Sequence, residues 1–247
     1  MKRLGLIGKK LGHSFSARYF AEKFEREGLA GEYDYSLYEL PQIKAVEDFI
    51  SSMDSLVGFN VTIPYKQQII PYLDELSQEA GNIGAVNCVK IMADGRRVGY
   101  NTDVEGIRLS LNKLLGEYTP DAALVLGTGG ASQAVQYVLA ERDIPYQIVS
   151  RDMAKGNLTY DDISPEVMAT HQLIINTTPV GMYPNVEEAP RLDYSLLTPA
   201  HYLFDLVYNP TTTRFMELGA KQGARTLSGL DMLYAQAEAA WAIWQES

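Results

Sequence analysis

Cysteine is nearly missing from this chain of 247 residues: Cys88 is the only one. A single thiol excludes an internal disulfide, and the three histidines form no Cys/His spacing of the kind that holds structural zinc, so no metal site is expected. Both absences fit a reducing cytoplasm. Positive charge is scarce as well, with 21 Lys and Arg against 31 Asp and Glu and a formal net charge of -10 at pH 7. That balance argues against general binding of nucleic acid or anionic membrane, which needs concentrated cations. A phosphate-bearing ligand must therefore meet a local basic site. Long apolar runs are lacking too. The opening MKRLGLIGKKLGHS is interrupted by a glycine and two lysines, too soon for a secretory signal, and no stretch reaches the roughly 20 residues that span a bilayer.

What is present is an ordinary globular composition, 46% hydrophobic and 21% charged, in a chain long enough for one large or two modest domains. Strand-like runs alternate with helical ones: LGLIG leads to ARYFAEKFEREGL, YDYSLYEL to AVEDFISSM, and LVGFNVTIP to a helical stretch headed by Lys66. Alternation of this kind predicts an α/β protein with largely parallel sheets, because parallel neighbours need a crossover, usually a helix. After the amphipathic IRLSLNKLLGEY, the segment TPDAALVLGTGGASQAVQYVLAE starts a fresh strand, turn and helix, where a second sheet begins. The last stretch, GLDMLYAQAEAAWAIWQE, is a long helix whose apolar positions need a partner surface.

ALVLGTGGAS sets Gly127, Gly129 and Gly130 between an apolar strand and a helix. A dinucleotide pyrophosphate needs this arrangement: glycines let the backbone turn tightly and approach the phosphates, and the helix start supplies N–H groups and positive dipole. The bland alternative is a tight turn without a ligand. Ser132 stands where such turns usually carry Gly or Ala. The second strand, YQIVSRD, ends in Ser150 and Arg151 with Lys155 four residues on, where an NAD site would place a carboxylate for the ribose hydroxyls. Two cations and a hydroxyl suit the 2′-phosphate of NADP, although Asp152 lies between them.

Other polar residues cluster at the ends of apolar segments: GHSFSA, NVTIPYK, GAVNCV and GYNTD. They offer hydroxyls at Ser14, Ser16 and Thr62, amides at Asn60, Asn87 and Asn101, an ammonium at Lys66 and a carboxylate at Asp103. Such an inventory suits a small polyhydroxylated, anionic ligand, while each residue alone could be a turn or cap residue. Reduction of a ketone needs a proton donor at the carbonyl oxygen, and a lysine beside a carboxylate can serve.

Taken in order, HSFS, NVTIPYK, GAVN, NTD, GTGGAS, SR, INTTPVGM, DLVYNPTTT and GLDMLYAQA resemble the shikimate dehydrogenase family over nearly the whole chain. The resemblance implies reversible NADPH-dependent reduction of 3-dehydroshikimate to shikimate in aromatic amino-acid (chorismate) biosynthesis. It implies two α/β domains with a cleft between them, a substrate domain over residues 1–103 and 229–247 and a Rossmann-like NADP domain over 104–228. Lys66 and Asp103 would be the catalytic pair. Ser14, Ser16, Thr62, Asn87, Tyr208 and Gln236 would bind substrate. Gly127, Thr128, Gly129, Gly130 and Ala131 would cradle the pyrophosphate, Ser150, Arg151 and Lys155 the 2′-phosphate, and Leu206 and Gly229 would lie along the nicotinamide. The partner implied is the small-molecule substrate, for a cytoplasmic monomer or homodimer. Ala17 and Cys88 replace the family's usual Pro and Thr, and DMAKGNLTYDDISPEVM shows little helical pattern where the family continues with a helix and another strand. One crossover of the nucleotide domain is thus expected to be shortened. A quinate/shikimate dehydrogenase using NAD is the nearest rival; a non-catalytic ligand sensor on the same fold is the other, disfavoured because it would need neither Lys66 nor Asp103.

Overall fold

A computed structural model describes residues 1–12 and 14–246 of the chain; His13, from HSFS, and Ser247 lie outside the described residues. The chain divides into two compact units, residues 1–102 with 237–247, and residues 103–236.

The first unit contains β1 (Lys2–Gly8), α1 (Phe15–Arg26), β2 (Tyr33–Glu39), α2 (Val46–Ser52), β3 (Gly58–Val61), β4 (Glu75–Leu76), α3 (Gln78–Ile83), β5 (Cys88–Ile91) and β6 (Arg97–Tyr100). Its six strands lie in the order β2-β1-β3-β5-β6-β4. The expectation of a largely parallel sheet holds, with β5 as the exception. β1 runs parallel to β2 and β3, but β5 is antiparallel to both β3 and β6. The β5–β6 pairing follows from the short Asp94–Gly95 turn, where Gly95 has φ +89 and its N–H bonds Met92 O: a connection this short permits only a hairpin.

Helix α1 forms because Ser14 caps it, accepting from Ser16 N, and because Tyr19, Phe20 and Phe24 fall on one face. That face joins Leu4, Leu6, Tyr33 and Tyr35 in one core with Ala237, Ala240 and Trp244 of the C-terminal helix. Lys23 is buried within this contact and is held by Glu27 at 2.9 Å and Glu238 at 2.8 Å. The Trp244 indole donates to Val89 O at 3.0 Å and lies so close over Gly58 that any Cβ there would strike it.

The second unit contains α4 (Asp103–Leu115), β7 (Ala123–Leu126), α5 (Gly130–Glu141), β8 (Tyr146–Val149), α6 (Pro165–Thr170), β9 (Leu173–Asn176), β10 (Tyr202–Asp205), α7 (Arg214–Lys221) and β11 (Arg225–Ser228), followed by α8 (Leu230–Gln245), which also supplies the first unit's 237–247. Its sheet is wholly parallel, in the order β11-β10-β9-β7-β8. Strands β7, β9 and β10 are buried along their whole length, which explains their continuous apolar runs. The order reverses at β7, which pairs with β8 on one side and β9 on the other; ligands of open α/β sheets bind outside the strand ends at such a point.

Between β8 and β9 the expected shortening is present: two 3₁₀ turns and the six-residue α6 carry the chain across. Among the described residues no strand extends the sheet beyond β8. Instead residues 156–158 lie along its edge. Asn157 N and Leu158 N donate to Ile148 O at 2.8 and 3.1 Å, Ser150 N donates to Leu158 O at 2.9 Å, and Ile148 N donates to the Asn157 side chain at 2.8 Å. A row of edge groups that would otherwise be exposed is thereby satisfied.

Candidate active site

The sheet topology of the first unit gathers its polar residues. β1 and β3 are parallel, so their carboxyl ends share an edge; β5 runs the other way and starts there, and β6 ends there. Thr62 and Lys66 follow β3, Asn87 precedes β5, Asn101 and Thr102 follow β6, and Ser14 and Ser16 open the helix after β1. The hairpin missed in the sequence is what brings Asn87 and Thr102 to the edge that carries Lys66.

A buried chain of hydrogen bonds fixes this edge. The Ser16 hydroxyl bonds Tyr35, whose phenol donates to Asn60 Oδ1 at 2.8 Å; Asn60 Nδ2 donates to Asn87 O at 3.1 Å. Asn87 Nδ2 donates to Thr102 Oγ1 at 3.0 Å and its Oδ1 accepts from Thr102 N at 2.7 Å. Asn101 Nδ2 donates to Ala85 O at 2.8 Å, a turn-holding role. Thr62 N donates to Ile7 O at 3.0 Å, and Lys66 O accepts from Val86 N at 2.7 Å, tying the lysine's backbone to the segment that carries Asn87. The Ile63–Pro64 peptide before it is cis. Asp103 comes next in the chain after Thr102, is buried, and opens α4. The Cys88 side chain is buried in the core, where desolvation raises its thiol pKa, so it behaves as a packing residue.

In the second unit the glycine turn lies at the end of β7. Gly127 has φ +112, which only glycine adopts without strain, and a Cβ there would stand 2.7 Å from Thr177 Oγ1. Thr128 and Gly129 are exposed, and a Cβ on Gly129 would meet nothing within 4 Å. Gly130 and Ala131 begin α5, whose first N–H groups face the turn without intrahelical acceptors. Open space beside a glycine turn at a helix start fits a pyrophosphate. Ser132 fits as well: it is fully buried, donates to Gly127 O at 2.7 Å and accepts from Gln136 at 3.0 Å, so its hydroxyl braces the turn from behind.

At the end of β8, Ser150 and Arg151 line a cavity of about 530 Å³ with Thr159, Tyr160, Val180 and Arg191 among its walls. Lys155 is not among them; its ammonium lies 3.8 Å from Asp152, which caps the 3₁₀ turn that carries it. Leu206 and Gly229 are brought together: Gly229 N donates to Val207 O at 3.2 Å, and a Cβ on Gly229 would collide with Leu206 O. Tyr208 follows β10, with its phenol pushed up by burial, and Gln236 on α8 donates to Leu233 O at 3.0 Å.

One group had no role in the sequence reading. Asp205, fully buried at the end of β10, accepts from Asn176 at 2.9 Å, Val207 N at 3.0 Å and Thr213 Oγ1 at 2.5 Å. It ties the end of β9, the loop carrying Leu206 and Tyr208, and the N-cap of α7. The motif DLVYNPTTT contains both Asp205 and Thr213, but nothing in it marks them as partners, since Thr213 lies eight residues on, at the N-cap of α7.

The family profile described as shikimate dehydrogenase substrate binding domain matches residues 6–89. A shikimate dehydrogenase (NADP(+)) from Clostridium beijerinckii is 37% identical, over 100% of this chain and 93% of its own length. The chain belongs to the shikimate dehydrogenase family. Among solved shikimate dehydrogenases, that of Thermus thermophilus in complex with NADP(H) and shikimate matches with a TM-score of 0.86 and 31% identity, over 99% of this chain and 94% of that one. A quinate dehydrogenase from Corynebacterium glutamicum in complex with NAD matches with a TM-score of 0.87 at 27% identity, over 99% and 93%. Both shikimate and quinate dehydrogenases therefore share this fold. Among the described residues no group of three or more His, Cys, Asp or Glu is placed to hold a metal ion, and no helix is long and apolar enough to cross a membrane.

Proposed function

We propose that this chain is an NADP-dependent shikimate dehydrogenase, which reversibly reduces 3-dehydroshikimate to shikimate in chorismate biosynthesis. The observation that carries the reading is the first unit's polar edge, where Lys66 stands beside the Asn87–Thr102 network in a chain related end to end to enzymes of that name. In this reading residues 1–103 with 229–247 bind substrate and 104–228 bind NADP.

When bound, NADPH supplies the hydride. The chain must then put a proton on the substrate's carbonyl oxygen, and the Lys66 ammonium is that donor. Asp103 is its partner in the catalytic pair and engages the substrate through its carboxylate. Ser14 and Ser16 take the substrate carboxylate with Tyr208, while Thr62, Asn87 and Gln236 hold its hydroxyls and fix the ring. Gly127 to Ala131 receive the pyrophosphate, Ser150 and Arg151 the 2′-phosphate with Lys155 nearby, and Leu206 and Gly229 present an apolar surface to the nicotinamide. The enzyme works in the cytoplasm as a monomer or homodimer, consistent with its lone buried cysteine.

The test is Lys66→Ala. Turnover should fall by about 10² to 10⁴-fold with shikimate KM little changed; turnover near that of the parent protein would remove Lys66 from the mechanism.

A further inference from the structure

The cavity beside Arg151 holds a second guanidinium that the glycine-turn pattern does not account for. Arg191 lines it from the loop between β9 and β10, a segment remote in sequence from Arg151. The cavity opens past the carboxyl end of β8, where the adenosine ribose of a dinucleotide belongs, and its volume suits a nucleoside-sized group. One wall is firm: Tyr160 packs on the core that contains Leu126, Val149 and Phe215. Two carboxylates, Asp161 and Glu188, also line it. Arg191 is paired with Asp161, and both side chains are mostly exposed, at 71% and 82%. Such an exposed pair is weakly held and yields to a better partner. A phosphate monoester is a better partner, with more charge and with oxygens that match the guanidinium fork.

We propose that Arg191 is a specificity-determining residue which, with Arg151, holds the 2′-phosphate of the cofactor, and that Asp161 competes with that phosphate for it. The inference rests on the NADP reading above and deepens it. Arg191 takes the part that the sequence pattern gives to Lys155, whose near neighbour is Asp152 outside the cavity. The opportunity arises from the shortened crossover. Residues 159–161, which follow the strap on β8, form one wall of the cavity, and Arg191 on the next long loop reaches the other.

The experiment is calorimetric binding of 2′,5′-ADP and of 5′-AMP to the full chain and its variants, which needs no turnover. Arg191→Ala should weaken 2′,5′-ADP by about tenfold or more, the worth of one charge-assisted contact, and leave 5′-AMP within about twofold. Arg191→Lys should recover part of the loss, and Asp161→Asn should tighten 2′,5′-ADP alone. Unchanged 2′,5′-ADP binding in Arg191→Ala, or equal loss of both probes, overturns the role of Arg191 while the NADP reading stands. Equal affinity of the parent protein for the two probes overturns the NADP reading itself, and this inference with it. Because Arg191 and Asp161 are exposed, both variants should fold; thermal midpoints within a few degrees of the parent would confirm it.

Discussion

The Asp205 carboxyl sits without solvent contact among Asn176, Val207 and Thr213, and burial pushes its pKa up to about 6, against three hydrogen bonds that pull it down. The native state therefore binds a proton that the unfolded chain has already released above the ordinary 3.8. This group's contribution to stability is present below about pH 4 and lost as pH rises to about 6, a change worth roughly 3 kcal/mol. Tyr194, its phenol raised by burial and by Asp205, does not titrate in that window. Asp205→Asn can keep all three contacts, with the Thr213 hydroxyl turned to accept. Its thermal midpoint relative to the parent should climb between pH 4 and pH 6 and level off above; a difference constant with pH would mean that Asp205 does not titrate there. Residues such as Lys66 and Arg151 could be nominated from the sequence because strand ends and the glycine turn gave them an address. Asp205 could not, since its burial and partners come from three segments joined only by the sheet.

At the level of elements, the strap over the β8 edge shows how the nucleotide unit tolerates a missing strand. Gly156 lets it approach: a Cβ there would stand 2.8 Å from Ile148 O and from Ser150 Cβ. Gly156→Val should push the strap outward, cost about 1 to 3 kcal/mol in urea unfolding and raise aggregation through the uncovered edge. Unchanged stability would show that the strap is dispensable. The shortening itself was legible, because the segment after Arg151 has no helical period and the base expectation was a full crossover. The strap was not, for it consists of backbone bonds from Gly156, Asn157 and Leu158 that carry no side-chain pattern. The antiparallel β5 was missed for a different reason. VNCVKIMADGRRVGYN reads as apolar runs that suit either direction, and only the shortness of the Asp94–Gly95 turn decides.

For the whole molecule, a net charge of -10 means that a cofactor with several phosphates depends on local donors, which the fold offers at the α5 start, Arg151 and Arg191. The two sheets were legible as two α/β blocks because the apolar runs restart after α4. The long helix α8 was legible as an element, but its division, with Gln236 in one unit and Ala237 in the other, depends on packing that periodicity does not carry. The central claim is the reaction, so the most direct measurement is the initial rate of cofactor reduction with shikimate or quinate, each with NADP or NAD. The account predicts strong activity with shikimate and NADP and far weaker rates in the other three combinations. Comparable rates with quinate or with NAD would contradict it.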